Sequence, residues 1–184
     1  MTTTLAVILG VLLLLFLWFL AIYNGLVKGR NMALEAFSGV DVALRRRFDL
    51  VPNLVETVKG YAAHESDTLE NVIKMRNQIA SAKGTDERFQ AENALTGTLG
   101  KLFALSESYP DLKANQNFLS LQTELGKIED DLQLARRFYN GCVRNLNNAC
   151  EVFPSVLVAR LFGFSKMSYF ETSEESRTTP TVHF

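Results

Sequence analysis

The sequence predicts an all-α protein in which one N-terminal transmembrane helix continues into an antiparallel up-and-down bundle of about four long helices. Three observations carry this. Residues 5–22 are apolar and uncharged, apolar residues recur at steps of three and four along most of the chain beyond them, and no segment alternates with a strand's period of two. The 184 residues leave room for one soluble domain with a sizeable core beside the span. A formal charge of −1 gives no global pull toward nucleic acid, so none is expected as a partner and any basic site must be local.

After a short tail at 1–4, residues 5–22 read LAVILGVLLLLFLWFLAI. These 18 residues reach about 27 Å as a helix, close to the hydrocarbon thickness of a bilayer. Leu5, Phe16, Trp18, Phe19, Ile22 and Tyr23 are the expected anchor residues, the rings of Trp18 and Tyr23 suiting the membrane–water boundary. A buried core helix and a cleaved signal compete with this reading. A core helix apolar on every face is unusual in so small a chain. A signal needs a basic start and a small-x-small cleavage site, and neither Met1-Thr2-Thr3-Thr4 nor Leu20-Ala21-Ile22-Tyr23-Asn24 supplies one. An uncleaved single-pass anchor fits better. Lys28 and Arg30 follow the span, so the positive-inside tendency puts the N-terminus outside and the helical domain in the cytosol.

The bundle is expected over 23–171. A first helix, 23–47, carries Leu26, Ala33, Phe37, Val40, Leu44 and Phe48 on one face. Pro52 predicts a break or sharp kink at 47–50, with Asp49 capping a second helix over 51–83. Its stripe is Leu54, Val55, Val58, Tyr61, Ala62, Leu69, Val72, Ile73 and Ile79, and Lys83-Gly84 closes it, the glycine free to turn left-handed. Thr85-Asp86-Glu87 opens a third helix, 86–107, built on Phe89, Leu95, Leu99, Leu102 and Phe103 and stopped by Ser108-Tyr109-Pro110.

The fourth helix, 111–153, has the cleanest pattern. Its stripe runs Phe118, Leu121, Leu125, Ile128, Leu132, Ala135, Tyr139, Cys142, Leu146, Ala149 and Phe153, a spacing that favours bundle or coiled-coil packing. Asn145 and Asn148 flank its end, where they would set register only if buried. After Pro154 comes an apolar segment at 155–170, with Leu161, Phe162, Phe164, Tyr169 and Phe170 as a candidate interface. It can pack back on the bundle, face a partner, or lie against lipid. Residues 172–184 are polar and expected to be disordered.

No catalytic site is expected. The two histidines, His64 and His183, form neither a Glu-x-x-His nor a zinc-protease pair, so no metal or other cofactor is expected. There is no glycine-lysine phosphate loop, and Glu129-Asp130-Asp131 reads as a solvated face. Cys142 and Cys150 lie about 12 Å apart on one helix, too far for a disulfide, and read as reduced packing residues. Arg45-Arg46-Arg47 is the densest charge and the candidate partner or anion contact. On an upright helix Arg45 stands roughly 35 Å beyond Ile22, several Debye lengths from lipid. A structural or partner-facing role is therefore favoured over an anion site.

Several phrases together resemble the LemA family. They are Tyr23-Asn24-Gly25-Leu26-Val27, the run from Leu44-Arg45-Arg46-Arg47-Phe48-Asp49-Leu50-Val51-Pro52-Asn53-Leu54 on to Lys59-Gly60-Tyr61, and Tyr109-Pro110-Asp111-Leu112-Lys113-Ala114-Asn115-Gln116-Asn117-Phe118. Phe153-Pro154-Ser155 and Leu161-Phe162-Gly163-Phe164 complete them in the family's order. The resemblance covers the span to about Glu171, leaving only the polar tail outside. It implies a bacterial protein of the cytoplasmic (inner) membrane with one span and a helical bundle, and brings no catalytic residues with it. The family's link with HtpX-type membrane zinc proteases implies an adaptor in envelope quality control, and its relatives among magnetosome membrane proteins imply membrane organisation. The anchor, the long heptad helices and the apolar segment after Pro154, with no catalytic constellation, favour a non-enzymatic membrane-anchored scaffold that self-associates as a homo-oligomer or docks a membrane partner, with the protease adaptor as the alternative.

Overall fold

The computed structural model describes residues 2–170, and the folded elements among them are all helices: α1 (Thr2–Lys59), α2 (Ser66–Ser81), α3 (Thr85–Ser106), α4 (Pro110–Lys113), α5 (Gln116–Glu151) and α6 (Ser155–Leu161). The all-α class is as expected; several boundaries are not. The tail at 172–184, with His183, lies outside the described residues. The chain divides into two compact units, one of Met1–Ser38 with Arg137–Tyr169, the other of Gly39–Arg136 with Phe170. Both α1 and α5 contribute to each.

In the unit of Gly39–Arg136, α1 does not break at 47–50 but runs through Pro52 to Lys59. A proline inside a helix leaves the carbonyl four residues earlier without its donor, here that of Phe48. Arg76 of α2 supplies the replacement: its Nε donates to the Phe48 carbonyl at 3.2 Å while the guanidinium lies 3.9 Å from the Phe48 ring centroid. Asp49, free of a capping duty, pairs with Arg45 one turn back at 3.5 Å.

The helix expected over 51–83 is two helices. α1 stops at Gly60, where Tyr61 and Ala62 amides turn back onto the Val58 carbonyl, and α2 starts at Ser66. Tyr61 and Ile73, assigned to the core stripe, are exposed. Gly84 is extended (φ −137°) and leads into α3 instead of closing α2. The expected 111–153 helix is likewise divided. Pro110 starts the single turn α4, and Asn115 then caps α5, its Oδ1 accepting from the Phe118 amide at 2.9 Å and its Nδ2 donating to the Tyr61 hydroxyl at 2.8 Å. Val51, Leu54 and Val58 of α1 close a core with Leu69 and Val72 of α2, Leu95, Leu99 and Leu102 of α3, Leu112 of α4, and Phe118 and Leu125 of α5.

In the unit of Met1–Ser38 with Arg137–Tyr169, α1 and α5 contribute a narrower seam that includes Leu26, Ala33, Val143 and Leu146. Phe37 and Tyr139 pack ring to ring at 5.7 Å. After Pro154, α6 ends in a Schellman turn: the Phe164 amide bonds the Ala159 carbonyl (2.9 Å), the Gly163 amide bonds that of Arg160 (3.4 Å), and Gly163 adopts φ +70°. The extended segment beyond is clamped by Asn147, buried in α5, which donates to the Met167 carbonyl and accepts from the Met167 amide, both at 2.9 Å. Tyr139 adds a bond from its hydroxyl to the Ser168 carbonyl at 2.8 Å. Asn145 and Asn148 stay exposed; Asn147 between them does the ordering.

Candidate functional site

The three consecutive arginines point three ways and form no common anion site. Arg45 is exposed and paired with Asp49. Arg46 pairs with Asp131 at 3.6 Å and lines an open groove of about 520 Å³ with Gln116, Leu119, Thr123, Glu124 and Lys127, a wall of mixed charge. Arg47 is 1% exposed and unavailable to any partner, which corrects its place among the contact candidates.

Arg47 belongs to a polar centre inside the same unit. Its guanidinium bonds the Glu92 carboxylate, the Glu92 carbonyl (3.2 Å), Thr96 Oγ1 (2.7 Å) and Glu129 Oε2 (3.1 Å). Arg136, also buried, lies over the Phe170 ring at 4.2 Å. Among the described residues Arg47 Nε, Glu92 Oε1, and Arg136 Nε and Nη2 have no hydrogen-bond partner. Burial pushes Glu92 above the usual carboxylate range, against the pull of Arg47, Arg88 and Arg136. Burial lowers Arg136 as well; Arg47 adds to that, while Glu129 and Glu92 oppose it. Glu92 and Arg47 are both sealed from solvent, so this centre holds α1 to α3 and offers no surface to a substrate.

Position in the apolar stripes was the signal for this centre. Arg47 falls three residues after Leu44 and four before Val51, and Glu92 three after Phe89 and three before Leu95. A charge inside such a stripe needs a buried partner.

The anchor and interface candidates lie in the other unit. Leu5, Phe16 and Trp18 are exposed by more than half, along with nearly every large side chain of that stretch, whereas Phe19, Ile22 and Tyr23 are half-buried. What covers them is the segment after Pro154. Phe162 packs on Phe19 (5.8 Å between centroids) and Tyr23 (4.8 Å), Phe164 packs on Tyr23 (5.9 Å), and Val158 and Ala159 close over Leu26. Arg30 reaches over the Phe164 ring at 5.3 Å. The candidate interface is thus divided. Leu161 (72%), Phe162 (49%) and Tyr169 (40%) remain exposed. Phe170 does not, being 1% exposed against Phe89 in the unit of Gly39–Arg136, and it leaves the interface set.

Cys142 and Cys150 are free thiols. Burial and the Glu151 carboxylate push the Cys150 thiol up, against Lys166, so it stays protonated and is no activated nucleophile. Among the described residues no group of three or more His, Cys, Asp or Glu side chains could hold a metal.

The LemA family's sequence profile matches residues 36–184, beginning after the apolar stretch and extending through the polar tail that the phrase-by-phrase resemblance left out. Protein LemA of Metamycoplasma hominis is 25% identical over 155 residues, covering 84% of this chain and 71% of the relative. Magnetosome protein MamQ 2 of Paramagnetospirillum magneticum is 24% identical over 186 residues, covering 87% of this chain and 68% of the relative. Magnetosome protein MamQ of Magnetospirillum gryphiswaldense is 25% identical with the same coverage.

Proposed function

Since the chain belongs to the LemA family, we propose that it is a non-enzymatic scaffold, anchored in the bacterial inner membrane by residues 5–22, that self-associates or docks a membrane partner. One observation carries this reading. Among the described residues one helix presents an uncharged apolar stretch with mean hydropathy 3.1 in which no side chain is fully buried and only Phe19 and Ile22, at its end, are half-buried. Water is a poor solvent for such a surface and a bilayer is a good one, since the helix satisfies its own backbone groups. Kinship with magnetosome proteins accords with a membrane address. The exposed Lys28 and Arg30 after the span support an N-terminus outside and the helical units in the cytoplasm.

Cross-linking the full chain in native membranes, followed by size analysis and identification of the linked species, tests the scaffold. Ladders of the chain with itself or with a defined membrane protein are expected. A species that remains strictly monomeric and partnerless contradicts it.

A further inference from the structure

We infer that α6 and the residues beside it form a second membrane contact, an in-plane apolar face seated at the lipid boundary where the span ends. This rests on the proposed placement of residues 5–22 in the bilayer and goes beyond it, because the face belongs to a part of the chain more than a hundred residues away.

From Leu5 to Trp18 every residue of α1 is exposed, and 14 residues of helix rise only about 21 Å, well short of a hydrocarbon core of roughly 30 Å. Including the next turn, 19–22, brings the run to about 27 Å, so that turn has to lie in lipid or at its edge. Phe162 packs on that turn and on the residue after it, 5.8 Å from Phe19 and 4.8 Å from Tyr23. A ring stacked on Phe19 shares its depth.

Around Phe162 the apolar surface continues. Leu157 and Leu161, one turn apart on α6, are 61% and 72% exposed, and Val152 and Phe153 just before it are 58% and 75% exposed. Buried Val158 and Ala159 hold the opposite side of α6 against Leu26, so the outward face cannot turn inward. The exposed cations Lys28 and Arg30 follow the span and Arg160 lies in the last turn of α6, matching anionic headgroups, while Glu151 beside Val152 is paired with Lys166, and Tyr23 supplies an amphipathic ring that favours such a boundary. A helix with one face packed on the protein and the other apolar and flanked by cations is suited to lie in the interface.

The chain has one tryptophan, Trp18, which makes the test direct. The full chain is reconstituted into phosphatidylcholine–phosphatidylglycerol vesicles with or without brominated acyl chains, and tryptophan emission is read with iodide as the aqueous quencher. In the native protein, brominated lipid is expected to quench Trp18, which reports on the span. In W18F/L161W, and in W18F/L157W as a second reporter on the same face, brominated lipid is expected to remove about half of the emission or more while iodide removes little. Two results overturn the inference with the span intact: reporters quenched by iodide and not by lipid, or reporters shielded from both by a second copy or a partner protein. Loss of Trp18 quenching itself removes the anchor and the inference together.

Discussion

The unit of Gly39–Arg136 closes most of its apolar side chains over one core, with Val42 and Leu134 left outside, and seals even Arg47 and Glu92 inside it, each 1% exposed. The unit of Met1–Ser38 with Arg137–Tyr169 leaves its largest apolar side chains in the open, from Leu5 to Trp18 and again at Phe153, Leu157 and Leu161. The first pairs its buried Arg47 with Glu92 and Glu129 from its own helices. The second leaves an apolar surface that the proposed bilayer would cover. Of the three consecutive arginines Arg47 is sealed into the packing while Arg45 and Arg46 stay at the surface, and the surface left to account for is the apolar one.

Arg47 is where the sealed unit is most vulnerable. Removing it as R47A leaves Glu92 buried with its main counter-ion gone, a loss expected to be about 3–5 kcal/mol by urea unfolding of the full chain in mild detergent. The double replacement R47M/E92L should cost clearly less than R47A, because the sealed Glu92 carboxylate is no longer left behind without Arg47. A loss in R47A no larger than that of an exposed arginine would show that the centre is not sealed.

Acidity sharpens the same point. Folding raises the Glu92 value above its unfolded one near 4.5, so the folded state binds the proton more tightly in the window just above that value. Its contribution is therefore fully present below 4.5 and is lost as pH rises through the folded value. Relative to E92Q, which cannot titrate, the native chain should gain stability as pH falls from neutral toward 5, seen in paired urea curves. A gap that moves the other way would mean that Arg47 outweighs burial.

In the other unit the largest single-residue effect expected is at Asn147, whose amide group makes both bonds to Met167. N147A should cost about 1–3 kcal/mol and free the segment it clamps, raising amide exchange at Met167 by about tenfold or more. Unchanged exchange there would show that the segment is held by its rings alone. The smallest effect belongs to Arg45, exposed, paired with Asp49 and lying over the Phe48 ring. R45A should change stability by less than about 0.5 kcal/mol, although it looks equivalent to Arg47 in the sequence.

That last contrast shows what was legible beforehand. The all-α class, the bare apolar stretch and α3, expected at 86–107 and found at Thr85–Ser106, follow from local pattern and composition. Pro52 misled because its remedy, Arg76 on the Phe48 carbonyl, comes from a different helix that no local signal points to. Asn115 was overlooked as a cap because the apolar stripe beyond it is so regular, and Gly60 because Tyr61 and Ala62 continue the spacing of Val58. The polar centre was legible in part: two charges occupied stripe positions, but their pairing needed the fold. Asn147 carried no such mark, since nothing in its neighbourhood distinguishes it from Asn145 and Asn148.

The claim on which the rest depends is that residues 5–22 reside in lipid, and alkaline carbonate extraction of membranes containing the full chain tests it most directly. The chain should stay in the membrane pellet at high pH and leave it only when detergent dissolves the bilayer. Release into the supernatant by carbonate alone would contradict the anchor, and with it the scaffold and the lipid-seated face of α6.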